Sequence, residues 1–155
     1  MAQEMLASYS RLAEPLTSGA ARVAIGPLMA LARAAMEPCH AAFIARVDFV
    51  DYLASDAPRT HLVALSVHDG RQRGALHFEK TDAAVDLLIG ASLEGARRIL
   101  RTRRLDTAYI RELTSMVLQG LGVARAEAAL AVALAWQRLE SEATTLPWWQ
   151  PPPAA

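Results

Sequence analysis

Four histidines, His40, His61, His68 and His77, are the side chains in this sequence best suited to acid–base or metal chemistry, with Cys39, Asp48 and Asp51 nearby in the chain. Their spacing argues against both uses. A helical metal pair needs ligands about one turn apart, whereas His61 and His68 stand two turns, roughly 10 Å, from each other on a helix. Nucleophile motifs are absent as well: there is no GxSxG elbow and no CxxC pair, and Cys39 beside His40 is a sequence neighbour, not an oriented pair. Gly90 and Gly95 fall inside an apolar helical pattern, where glycine allows close helix approach more readily than it cradles a phosphate. The residues therefore nominate no enzyme class, no metal and no cofactor.

Binding is a better fit than catalysis. Cys39, His40, Arg46, Asp48, Asp51 and Tyr52 on one apolar segment, and His61, Ser66 and His68 on the next, set a few polar groups among apolar walls, as a small-molecule pocket requires. Phe43, Val47, Val50, Leu62 and Leu65 are the expected walls, with Tyr52 or His61 orienting an apolar or amphipathic ligand. A plain core with these polar residues facing water fits the same pattern. The basic cluster Arg97, Arg98, Arg101, Arg103 and Arg104 closes a helix, where cations complement the helix dipole. It lacks interleaved aromatics, and the 16 basic residues of the chain are balanced by 16 acidic ones. A solvated face is expected there, not a nucleic-acid patch.

These residues need a scaffold, and the scaffold is helical. A chain of 155 residues, 53% hydrophobic, is long enough for one well-filled domain. Its single cysteine excludes an internal disulfide. The opening MAQEMLASYS has an acid where a signal peptide needs basic residues, and the apolar run from Val23 to Ala32 is too short to span a membrane. The expectation is a cytoplasmic protein with no membrane partner. Helices are predicted from about Ala2 to Glu14, from Ala20 with a restart at Gly26 and Pro27, from Cys39 to Ala54, and from Pro58 to Asp69, where Gly70 is the expected stop. The stretch Gly70 to Lys80 reads as a loop. After Gly122 a last helix runs from Ala124 to Leu139, and its two opposed apolar stripes, Leu130 with Leu134 and Val132 with Trp136 and Leu139, predict burial on more than one side. Residues 1–145 form the expected domain, and 146–155 read as a Pro/Trp-rich tail, flexible or docked on the surface, with capping of the bundle by Trp148 and Trp149 as the alternative.

Between these lie two strongly apolar helices, TDAAVDLLIGASLEGARRILR and DTAYIRELTSMVLQGLG. In the second, Tyr109, Ile110, Leu113, Met116, Val117, Leu118 and Leu121 cover an arc of about 200°, while a core-facing helix needs only about 100°. The surplus calls for a partner. A homodimer is expected, with Val85, Leu88, Ser92, Ile99, Ile110, Leu113, Val117 and Leu121 at its interface.

From Phe43, in FIARVDFVDYLASDAP, to Ala129, in RELTSMVLQGLGVARAEA, the order of parts resembles the C-terminal domain of TetR-type bacterial transcription regulators. The resemblance implies an all-α multi-helix bundle that binds a small inducer and dimerises through two long C-terminal helices as a four-helix bundle. It assigns Asp82 to Arg101 and Thr107 to Leu121 to that interface. DNA contact in the family belongs to an N-terminal helix-turn-helix reader of roughly fifty residues, a pattern that nothing before Ala20 supplies. The alternative from a different class is a small helical carrier or enzyme acting alone on an apolar molecule.

Overall fold

The computed structural model describes residues 2–46 and 58–150. Seven α-helices and no strand occur among the described residues: α1 Ala2–Ala13, α2 Gly19–Met36, α3 Pro38–Arg46, α4 Pro58–Gln72, α5 Thr81–Thr102, α6 Thr107–Gly120 and α7 Arg125–Ser141. A 3-10 turn, Ala143–Thr145, follows.

The fold is organised around α2. Thirteen of its eighteen residues are buried, and all six other helices touch it. A helix that is apolar all round must be covered all round, and GAARVAIGPLMALARAAM meets that description. Ser18 starts α2 by accepting a hydrogen bond from the Ala21 N–H at 3.2 Å. Arg33, the one charged residue buried in α2, is held by Glu37 at 2.6 Å and faces Glu4 of α1 at 3.9 Å.

Pro27 does not restart the helix; α2 runs through it without a break. An internal proline costs about 3 kcal/mol in an isolated helix. Burial of apolar side chains on every face of α2, at about 25 cal/mol per Å², outweighs that. Gly70 likewise does not stop α4. A Cβ at position 70 would stand 2.8 Å from Leu76 Cδ1 and 3.0 Å from Val23 Cγ2. Glycine there admits the following loop against the helix, and the chain reverses later, at Gly74 with φ of 71°.

The loop then packs against the turn between α6 and α7. The His77 N–H donates to the Leu121 carbonyl at 2.8 Å, and the His77 carbonyl presses on Gly122, which has φ of 87°. Asp106 caps α6 by accepting from the Tyr109 N–H at 3.0 Å. Leu146 and Trp148 belong to the main core. The packed unit thus extends past residue 145, because two large apolar side chains after the 3-10 turn find room in the bundle.

Candidate self-association surface

α5 and α6 lie antiparallel, and three contacts set their register. Leu87 Cδ2 stands 2.8 Å from where a Cβ on Gly120 would be, and Leu113 Cδ2 stands 2.8 Å from the same point on Gly95. At the opposite end the Arg98 guanidinium lies 5.3 Å above the Tyr109 ring, a cation–π contact. Small residues at 95 and 120 let the two helices approach closely.

One side of this pair faces the core, and the other is left open. Leu87 is 41% exposed and Met116 60%. Helical spacing puts Ala83 and Gly90 beside Leu87, and Gly120 one turn beyond Met116. A Cβ at Gly90 would meet nothing within 4 Å. The result is a patch of small residues with two projecting apolar side chains, and the exposed Asp86 and Glu112 adjoin it. Toward the C-terminal end of α5 the surface becomes charged: Glu94 pairs with Arg101 at 3.2 Å and with Arg97 at 3.7 Å. Arg98, Arg101, Arg103 and Arg104 are all exposed and Arg97 is partly buried. On α7 only one of the two apolar stripes is buried: Val132, Trp136 and Leu139 pack inward, while Leu130 and Leu134 face outward, contrary to the expected burial on both sides.

The residues expected at a dimer interface are placed differently. Val85, Leu88, Ile99, Ile110, Val117 and Leu121 are buried within the chain itself. Ser92 and Leu113 are partly buried, Ser92 Oγ donating to the Leu88 carbonyl at 2.8 Å. The broad apolar arc of α6 is covered from two directions, by α2 and by α7. What stays open is narrower and includes Leu87, which lies off the main apolar face of α5. Its nearness to Ala83 and Gly90 in the helical wheel was the available sequence signal.

Of the expected ligand residues, Val47, Val50 and Tyr52 lie outside the described residues, as does the side chain of His61. Phe43 on α3 and Leu65 on α4 are each more than half exposed, and Leu62 is partly buried. These three present apolar surface on α3 and α4 and do not by themselves enclose a cavity. An open surface hollow of about 470 Å³ occurs elsewhere, lined by Arg71, Gly74, Leu76, His77, Phe78 and Glu79. Arg71 there stacks 5.2 Å from the Phe78 ring centre.

A polar network ties α1, α2 and α4 together. The Tyr9 hydroxyl donates to Ser66 Oγ at 2.8 Å and lies 3.3 Å from the Arg22 carbonyl. Arg22 in turn reaches Asp69 at 3.5 Å, and Asp69 accepts from Arg73 at 2.8 Å. Burial pushes the Tyr9 phenol above its ordinary pKa, with Asp69 adding to the shift and Ser66 and Arg22 opposing it. A phenol held protonated is a hydrogen-bond donor and not a base. His68 and His77 are exposed and His40 is buried. Among the described residues no three His, Cys, Asp or Glu side chains converge as a metal site would require, and no helix is long and apolar enough to cross a membrane.

Comparison with family models, curated proteins and solved structures finds no match to this chain.

Proposed function

We propose that this chain is the small-molecule-sensing and dimerisation domain of a TetR-type regulator, in which the outer face of α5 and α6 packs against the same face of a second copy. The observation that carries this reading is the open patch of Ala83, Leu87, Gly90, Met116 and Gly120 on the helix pair that the resemblance assigns to the interface. Two such pairs related by a two-fold axis make a four-helix bundle, with Met116 and Leu87 filling the lane over the small residues of the partner. The sensing half of the proposal rests on Phe43, Leu62 and Leu65, apolar side chains on α3 and α4 that a ligand would cover. DNA contact is assigned to a helix-turn-helix segment and to none of the helices described above.

A dimer links folding to concentration. The melting temperature of the native chain should therefore rise with protein concentration, and Met116→Arg should remove that dependence. A melting temperature independent of concentration in the native chain would refute the self-association.

A further inference from the structure

The charge of α5 is divided along its length. Asp82 and Asp86 lie in the half nearer Thr81, and Arg97, Arg98 and Arg101 in the half nearer Thr102. Attraction to the helix dipole accounts for charges in the first and last turns only. Asp86 and Arg97 lie beyond those turns, each five residues from its own end of the helix. The ion pairs of α5 join Glu94 to Arg101 and to Arg97, the latter at 3.7 Å and so past hydrogen-bond length. Asp86 is exposed and takes part in no ion pair among the described residues.

These two charges share a lane. At 100° per residue Asp86, Gly90, Leu93 and Arg97 fall within an arc of about 60°, and their spacing of four, three and four residues reads the same from either end. Turned end for end about the middle of the helix, the lane sets Asp86 opposite Arg97 and Gly90 opposite Leu93. The match is one of shape as well as charge. A Cβ at Gly90 would meet nothing within 4 Å, and Leu93 is a partly buried side chain outside the main core. Helix α6 fits the same axis. Leu87 covers position 120 and Leu113 covers position 95, so the middle of α5 is level with Met116, which is exposed.

We propose that two copies of this chain pair α5 against α5 in antiparallel register, about a two-fold axis that crosses the middle of the helix at right angles. Asp86 then meets the partner's Arg97, twice by symmetry, the partner's Leu93 fills the space at Gly90, and Met116 packs on the partner's Met116 beside the axis. This rests on the self-association proposed above and adds its direction and register. The charges also select the partner. A parallel pairing sets Asp86 beside the partner's Asp86 and Arg97 beside the partner's Arg97, and a helix of uniform charge is repelled by one half of α5 or the other.

Asp86→Cys and Arg97→Cys test the register under mild oxidation, each made with Cys39→Ser because Cys39 is exposed. Mixed in equal amounts, the two variants should form a disulfide-linked dimer containing one chain of each. Asp86→Cys alone should not, since its two thiols lie about 16 Å apart along the paired helices. As a second measurement, Asp86→Arg and Arg97→Asp should each raise the dimer Kd about tenfold, and the two together should bring it back to within about twofold of native. A linked dimer from Asp86→Cys alone would show parallel pairing and overturn the proposal. No linkage in the mixture, or single reversals that leave Kd unchanged, would overturn it too; if the native chain still scatters as a dimer, self-association then stands without this register. A native chain that is monomeric at every concentration overturns both.

Discussion

Leu87 of α5 covers Gly120 of α6 so closely that its Cδ2 would stand 2.8 Å from a Cβ at that position. Leu87 is exposed at its outer side, so it can swing away when the space beneath it is filled. Gly120→Ala should accordingly leave the stability of the isolated chain within about 1 kcal/mol of native, since alanine is the better helix former. Displacing Leu87 disturbs the proposed mating face, and association should weaken by about tenfold, or about 1.4 kcal/mol. Sedimentation of the variant beside its denaturant midpoint separates the two effects.

Two glycines on α5 should respond in opposite directions to the same change. Gly95 lies under Leu31 Cδ2 and Leu113 Cδ2, at 2.7 Å and 2.8 Å from a Cβ there. Leu31 is fully buried, so it cannot move aside, and Gly95→Ala should cost about 1–3 kcal/mol by overpacking. Gly90 faces open space, and Gly90→Ala should stabilise the single chain by about 0.5–1 kcal/mol. Urea unfolding at a concentration low enough to favour monomer checks both.

Gly122 holds the turn between α6 and α7 with φ of 87°, directly against the His77 carbonyl. Alanine there meets both a disfavoured backbone conformation and a backbone oxygen that the 2.8 Å bond from His77 N–H to the Leu121 carbonyl keeps in place. Gly122→Ala should destabilise by about 2–4 kcal/mol. Gly74, also at positive φ but with no atom within 4 Å of its missing Cβ, should cost about 1 kcal/mol on the same change. Thermal melts of the two variants report the difference.

Tyr9 makes the stability of the bundle depend on alkaline pH. Its phenol is raised above 10.0 in the folded chain, chiefly by burial, while the unfolded phenol ionises at its ordinary value. The stability it contributes is therefore fully present below pH 10.0, and is lost as pH rises from there through the higher folded-state value. Tyr9→Phe should cost about 1 kcal/mol at neutral pH through the lost bond to Ser66. It should also lose stability less steeply than the native chain above pH 10.0. Denaturant midpoints from pH 8 to pH 11 test the sign.

Much of the helical frame was legible from local pattern. The helices after Lys80 follow from spacing and side-chain chemistry, which act within a few residues. The misreadings share a cause: each depends on what a residue meets far along the chain. Gly70 reads as a stop until Leu76 and Val23 are seen on top of it. Pro27 reads as a break until the burial of α2 on all sides is known. Trp148 reads as tail because no local rule says that the bundle has room for an indole. The dimer residues show the same limit. A helical wheel gives the width of an apolar arc but not the number of neighbours that cover it, and α2 and α7 cover Ile110, Val117 and Leu121. For the expected pocket, Phe43 and Leu65 show apolar surface on α3 and α4, and the spacing alone could not tell an outward face from an inward one.

The central claim is that α5 and α6 mate with a second copy through Leu87 and Met116. Light scattering of the purified chain, with Leu87→Glu/Met116→Arg run beside it, tests this most directly. The account predicts twice the 16.7 kDa chain mass for the native protein, and the mass of one chain for the double variant with its helical spectrum unchanged. A native protein that scatters as a single chain at every concentration, or a dimer that the double variant leaves intact, would contradict it.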